Sequence, residues 1–201
     1  MKKIIFLLMI MMIVPTFLRA QVAMEDIGDY RYFCAKDAKK TIYQLSYVGA
    51  KGDRRGSDGD FGGTVSPDYS FVEEKTNKGI QRYWKLGFTG RCSREIGFTM
   101  NKGSKILIRL FDNSVITLIT NHVGMEESSG RGMWFLPSAK LSTTNYNKIV
   151  QHGIKKLRFE TYPKVFDVEY DKDEIGVFLK EATSILKEKI NSKTDRMTKG
   201  F

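Results

Sequence analysis

Apolar side chains recur at every second position along much of this chain and take up a helical period only near its end. That pattern restricts the fold to a β-rich sheet closed by a C-terminal helix. Residues 42–48 place Tyr43, Leu45 and Tyr47 on one side and Gln44 and Ser46 on the other. Residues 82–88 align Trp84, Leu86 and Phe88, which assigns Trp84 to the core, and residues 94–100 align Ile96, Phe98 and Met100. Thr89-Gly90-Arg91 between them reads as a hairpin turn with Cys92 beside it. Residues 105–120, after a turn at Asn101-Lys102-Gly103, carry the strongest strand signal. A two-residue loop at Asp112-Asn113 would set Arg109 opposite Ile116. A three-residue loop over 112–114 instead pairs Leu110 with Ile116 and Ile108 with Leu118, keeping apolar groups on one face, and is preferred. Leu107, Phe111 and Ile119 make the other face apolar too, so the hairpin is expected to be central and covered on both sides.

Residues 21–40 read as mixed, opening with a short helix, and residues 49–63 and 122–132 read as loops. A short strand over 133–136 is ended by Pro137. Thr143 or Thr144 caps a short helix that Gly153 ends. Residues 156–162 and 165–170 return to strand character. Asp171 followed by Glu174 resembles a capping box, and Ile175, Phe178, Leu179, Ala182, Ile185, Leu186 and Ile190 then form one helical stripe. The fold class expected is α+β: a mostly antiparallel bent sheet or sandwich of about eight strands with a C-terminal amphipathic helix packed on it. Residues 21–190 form one domain and 191–201 a disordered tail.

Residues 1–20 read as an address. Lys2 and Lys3 precede an apolar run over 4–18, and Ala20 precedes Gln21. At about 1.5 Å per residue such a run falls short of a ~30 Å hydrocarbon core, which marks a secretory signal peptide cleaved after Ala20. An uncleaved N-terminal anchor is the alternative. Cleavage leaves no stable membrane span and lowers the excess of 33 Lys+Arg over 23 Asp+Glu by Lys2, Lys3 and Arg19, so that 30 bases against 23 acids give +7. The expected location is periplasmic or secreted. There the partners open to a basic surface are envelope components, glycans or proteins, and nucleic acid is disfavoured. In an oxidising compartment Cys34 and Cys92 are expected to form a disulfide worth about 4 kcal/mol in the chain-entropy model, the competing reading being two buried thiols.

From Lys105 onward, the Phe111-Asp112-Asn113-Ser114 hairpin, the short helix, the Gly153-Ile154-Lys155-Lys156-Leu157-Arg158 segment and the closing helix together resemble uncharacterised exported proteins of Gram-negative bacteria. The resemblance covers about half the chain, rests on pattern and implies no activity.

Motifs that carry chemistry are sparse. Asp53, Asp58 and Asp60 lie on a Gly-rich loop and are the one candidate ligand set, for Ca²⁺ or as a lid, although Tyr69 stands where an EF-hand requires Glu and Arg54-Arg55 oppose a cation. His122 and His152 lack metal partners at ligand spacing, and no Gly-x-Ser-x-Gly elbow occurs. The acid pairs Glu73-Glu74, Glu126-Glu127 and Asp167/Glu169 lack the geometry of a glycosidase site. No catalytic, cofactor-binding or metal-binding residue is assigned, and no cofactor is expected. The expected function is a non-enzymatic exported binding module; the alternative is a small hydrolase acting on envelope or glycan material. His122 or His152 beside Ser or Asp in a cleft would favour the hydrolase, as would two converging acids. A third reading is a basic protein held on anionic membranes.

Overall fold

A computed structural model describes residues 21–47, 65–93, 100–128, 132–162 and 165–198. Among them the alternating segments form one ten-stranded sheet in which every observed pairing is antiparallel. The strands are β1 (Gln21–Ile27), β2 (Tyr30–Lys36), β3 (Lys40–Tyr47), β4 (Val65–Thr76), β5 (Gly79–Ser93), β6 (Lys105–Leu110), β7 (Val115–Ser128), β8 (Gly132–Lys140), β9 (Ile154–Phe159) and β10 (Phe166–Glu169). Helix α1 (Thr143–His152) separates β8 from β9, and helix α2 (Glu174–Thr198) closes the chain. The fold is therefore α+β and β-rich, with ten strands instead of about eight.

The sheet order, β1-β2-β3-β4-β5-β8-β7-β6-β9-β10, is a meander as far as β5. The chain then skips to β6 and returns through β7 and β8 to pair with β5. Strand β7 joins the two halves. Its first residues, from Val115 to Ile119, pair with β6, while Thr120 onward pairs with β8 after a register shift between Thr120 and His122. A shift of this kind bends a strand and raises its twist. The bend is large enough for Phe88 on β5 to meet Phe159 on β9 edge-to-face at 5.5 Å, although three strands separate them in the sheet.

The apolar stripe of α2 lies in this bend, touching β3, β4, β9 and α1. Ile175, Phe178, Leu179, Ala182 and Leu186 are buried there, against Leu45, Leu86, Ile106, Ile108 and Leu157 among others. Each large aliphatic side chain so buried contributes about 1.5–3 kcal/mol. Trp84 is half-buried and stacks on Tyr69 at 4.7 Å, at the margin of this core.

Several expectations are corrected. Residues 21–36 form the β1–β2 hairpin in place of a helix: Ile27 pairs with Tyr30 across the two-residue turn Gly28-Asp29, where Gly28 takes φ 58°. Thr89, Gly90 and Arg91 lie inside β5; the turn that begins this strand is Asn77-Lys78, with Gly79 at φ 116°. His122 and Pro137 also lie within strands, β7 and β8, that were expected to be loop or strand end. The β6–β7 hairpin does have a three-residue loop, but over 111–113: Asn113 adopts φ 67°, Leu110 N–H donates to the Ser114 carbonyl at 2.9 Å, and Ile108 faces Ile116. The register thus differs by two residues, which preserves the faces. The outer face is not covered, since Val115 and Ile119 are both more than half exposed. Ser142 caps α1, one residue before the expected Thr143, by accepting from Asn145 N–H at 3.2 Å. Helix α2 extends through Thr198, into the segment expected as tail.

The disulfide expectation is also overturned. Cys34, Tyr43, Phe71 and Trp84 share one cross-strand row, so Cys92 lies three strands over and eight residues along from Cys34. In a sheet that is roughly 14 Å across and about 26 Å along, against a Cα separation of at most about 7 Å for a bridge. Cys34 is buried beside Tyr32 and Tyr43.

Asp173 organises the two helix ends. Its Oδ1 accepts from Gly176 N–H at 2.7 Å, which makes it, and not Asp171, the cap of α2, and from Ile154 N–H at 3.3 Å just past α1. A Cβ on Gly153 or Gly176 would come within 2.6 Å of this side chain, so both neighbours must be glycine.

Two outcomes follow. Replacement Asp173→Ala should cost about 1–2 kcal/mol in urea unfolding, the range of a lost helix cap with one further orphaned N–H. Peptide mapping without reductant should yield no cross-linked fragment joining Cys34 to Cys92.

Candidate functional site

Because side chains alternate across a strand, the positions between the core residues of β3, β4, β5 and β8 project to the sheet face opposite α2. There they line a cavity of about 470 Å³, within the usual range for small-molecule sites. Two cross-strand rows build it. One runs Ser46, Asp68, Gly87, Ser138, His122 over β3, β4, β5, β8 and β7; the other runs Gln44, Ser70, Lys85, Lys140.

Asp68 is the centre of the first row. Gln44 Nε2 donates to its Oδ1 at 2.9 Å and Thr89 Oγ1 to its Oδ2 at 3.3 Å. Burial raises its carboxyl to about 6, against the opposing influence of the Thr89 hydrogen bond and the Lys85 charge. Glycine at 87 makes the notch between Asp68 and Ser138: a Cβ there would stand 3.0 Å from Asp68 Oδ2 and 3.5 Å from Ser138 Cβ.

The second row carries positive charge. Lys85 is half-buried, and its ammonium is lowered from its usual value first by burial and then by Lys40. Among the described residues neither the Lys85 nor the Lys40 ammonium has an ion-pair or hydrogen-bond partner. Tyr83 donates to Glu74 Oε2 at 3.0 Å, and its hydroxyl is raised to about 12, by burial first and by Glu74 next. Lys140 Nζ sits 4.2 Å from the centre of the Tyr83 ring. Two side-chain atoms of the lining, Asn121 Oδ1 and Ser138 Oγ, are buried without a hydrogen-bond partner among the described residues.

Of the candidates from the sequence, one histidine comes to this cavity. Asp53, Asp58 and Asp60 lie outside the described residues. His122 lines the cavity and is the cross-strand neighbour of Ser138, but Ser138 Oγ accepts no hydrogen bond from it. Asp68, bound by Gln44 and Thr89, has no hydrogen bond with it among the described residues either. His152 stands at the other end of the fold, its Nδ1 3.5 Å from Asp112 Oδ2. Glu73 pairs with Arg82 at 2.6 Å while Glu74 turns to the opposite face. Asp167 and Glu169 share Lys156, and Asp167 also takes two hydrogen bonds of 2.7 Å from Arg158. Among the described residues no three His, Cys, Asp or Glu side chains cluster as a metal site. The residues that build the cavity were missed in the sequence because Gln44, Asp68, Lys85 and Ser138 come from four strands. Their only local mark is a polar residue at every second position.

The raised carboxyl has a sign that can be checked. A folded-state value above the ordinary 3.8 means that folding takes up a proton between about pH 4 and 6, so stability from this group is full at low pH and lost as pH rises through about 6. Asp68→Asn should therefore stabilise the protein at pH 7.5 by about 2 kcal/mol and leave it nearly unchanged at pH 4, read from urea midpoints at the two pH values. No family model, curated protein or solved structure matches the chain.

Proposed function

We propose that the chain is an exported, non-enzymatic binding module that holds a small polar ligand in the cavity on the open face of its sheet. The observation that carries this reading is the partnerless polar lining. A half-buried ammonium and two buried oxygens without hydrogen-bond partners among the described residues each cost free energy, and a ligand that bonds them recovers it. Export rests on the leader over 1–20, too short for a bilayer and ended by Ala20 before Gln21, the first residue of β1. Periplasmic or secreted placement follows from that leader. No helix among the described residues is long and apolar enough to cross a membrane.

One observation favours a second reading, a small hydrolase: His122, Ser138 and Asp68 share a cross-strand row in the cavity. Against it, Ser138 Oγ has no hydrogen bond to a base, so the nucleophile is not activated as a serine hydrolase requires.

Two measurements separate these readings. Titrating the protein with small glycans should move the amide resonances of Gly87, Thr89 and Ser138 with no turnover, whereas cleavage that Ser138→Ala abolishes would establish the hydrolase. Amino-terminal sequencing of natively produced protein should begin at Gln21; Met1 in material from the soluble cell interior would refute export.

A further inference from the structure

Resting on the groove as a binding site, we infer that its ligand is a small hydroxylated carboxylate of the acidic-sugar type, with the carboxylate between Lys40 and Lys85 and hydroxyls on Gln44, Ser70 and Ser138. The argument begins with charge. Among the described side chains around the cavity, three ammonium groups, Lys40, Lys85 and Lys140, stand against two acids, Asp68 and Glu74. Glu74 is engaged by the Tyr83 hydroxyl, and Lys140 lies over the Tyr83 ring. Asp68 is held by Gln44 and Thr89. What remains uncommitted is the pair Lys40 and Lys85, and the net excess of one positive charge matches a monoanion. Asp68 and Glu74 act on the Lys85 charge only from beyond ion-pair distance, so burial outweighs them, and a carboxylate at hydrogen-bond distance reverses the penalty.

The rest of the lining specifies the remainder of the ligand. Ser70 Oγ reaches Gln44 Oε1 only at 3.5 Å, so that pair is loosely engaged, and Ser138 Oγ is unengaged. These are alcohol and amide groups suited to vicinal hydroxyls, and Ile42, Leu136 and Pro137 supply the apolar part of the wall. A cavity of about 470 Å³ admits one or two sugar rings. Asp68 makes the site pH-responsive. Losing its proton as pH rises through about 6 puts a negative charge beside the carboxylate site, which Lys40, Lys85, Lys140, Glu74 and the Tyr83 hydroxyl also face. His122 stands exposed at the rim of the same cavity. Affinity for the anion should therefore rise as pH falls.

The probes are D-glucuronate, neutral methyl glucoside and inorganic phosphate, titrated into the full chain with amide NMR and calorimetry as readouts. Glucuronate should shift Gly87, Thr89 and Ser138 and bind at least about tenfold more tightly than methyl glucoside, with Lys85→Met abolishing that advantage. Its affinity should rise roughly three- to tenfold from pH 7.5 to 5.5. In Asp68→Asn, which keeps the size and hydrogen-bonding groups of the floor, affinity should already be high at pH 7.5 and most of the rise should vanish. Methyl glucoside binding as well as glucuronate would overturn the carboxylate inference and leave the groove as a binding site. Phosphate binding as tightly as glucuronate would overturn the assignment to a carboxylate. Failure of all three to move the groove amides would overturn the binding reading itself. Retained glucuronate affinity in a folded Lys85→Met variant, judged by an unchanged spectrum away from the groove, would refute the role given to that lysine.

Discussion

The burial of one helix stripe inside a bent sheet is the constraint on which the remaining structure depends. A flat sheet of ten strands would leave too much apolar surface for a single helix to cover; the bend at β7 folds the two halves together so that α2 reaches β3, β4 and β9 at once. With α2 on one side, the core is shared between strands far apart in sequence and in sheet order, as the contact of Phe88 with Phe159 illustrates. The opposite face of β3, β4, β5 and β8 is then released from packing and can hold polar groups. Core and cavity are two consequences of the same alternation.

How much could be read beforehand follows from which residues had burial to enforce their pattern. The stripe of α2 was legible residue by residue because Ile175, Phe178, Leu179, Ala182 and Leu186 all meet the core. Tyr43 and Leu45 on β3, and Leu86 and Phe88 on β5, were legible for the same reason. Strand β1 was not: it lies at the sheet edge, and Val22 and Met24 are well over half exposed, so nothing imposes a contrast between its two sides. Gly90 was misread as a turn, since glycine's freedom marks turns from sequence alone; here it lies in a strand paired on both sides, with Val65 and Phe135. The Cys34–Cys92 expectation failed on topology, because two cysteines in a sequence carry no information on the number of strands between them. The cavity was the least legible part, as Asp68 and Lys85 acquire meaning only when β4 and β5 align.

Electrostatically the molecule treats two acids in opposite ways. Asp167, between Arg158 and Lys156, is held below the ordinary carboxylate range, Arg158 contributing most. Asp68, enclosed with neutral donors and a more distant lysine, is driven above it. The first arrangement fastens β9 to β10 across their pairing. The second keeps a proton exchangeable near neutral pH inside a cavity, a property that structural ion pairs do not need and that recognition sites can use.

The nesting of Asp173 between Gly153 and Gly176 bears on ancestry. One carboxylate caps a helix and closes the preceding helix–strand junction only because both flanking positions lack a side chain, so no member of the three can change alone without a steric or hydrogen-bonding defect. Descendants of a common ancestor with this fold should inherit the trio as a block, at spacings of twenty and three residues, long after the rest of the chain has diverged.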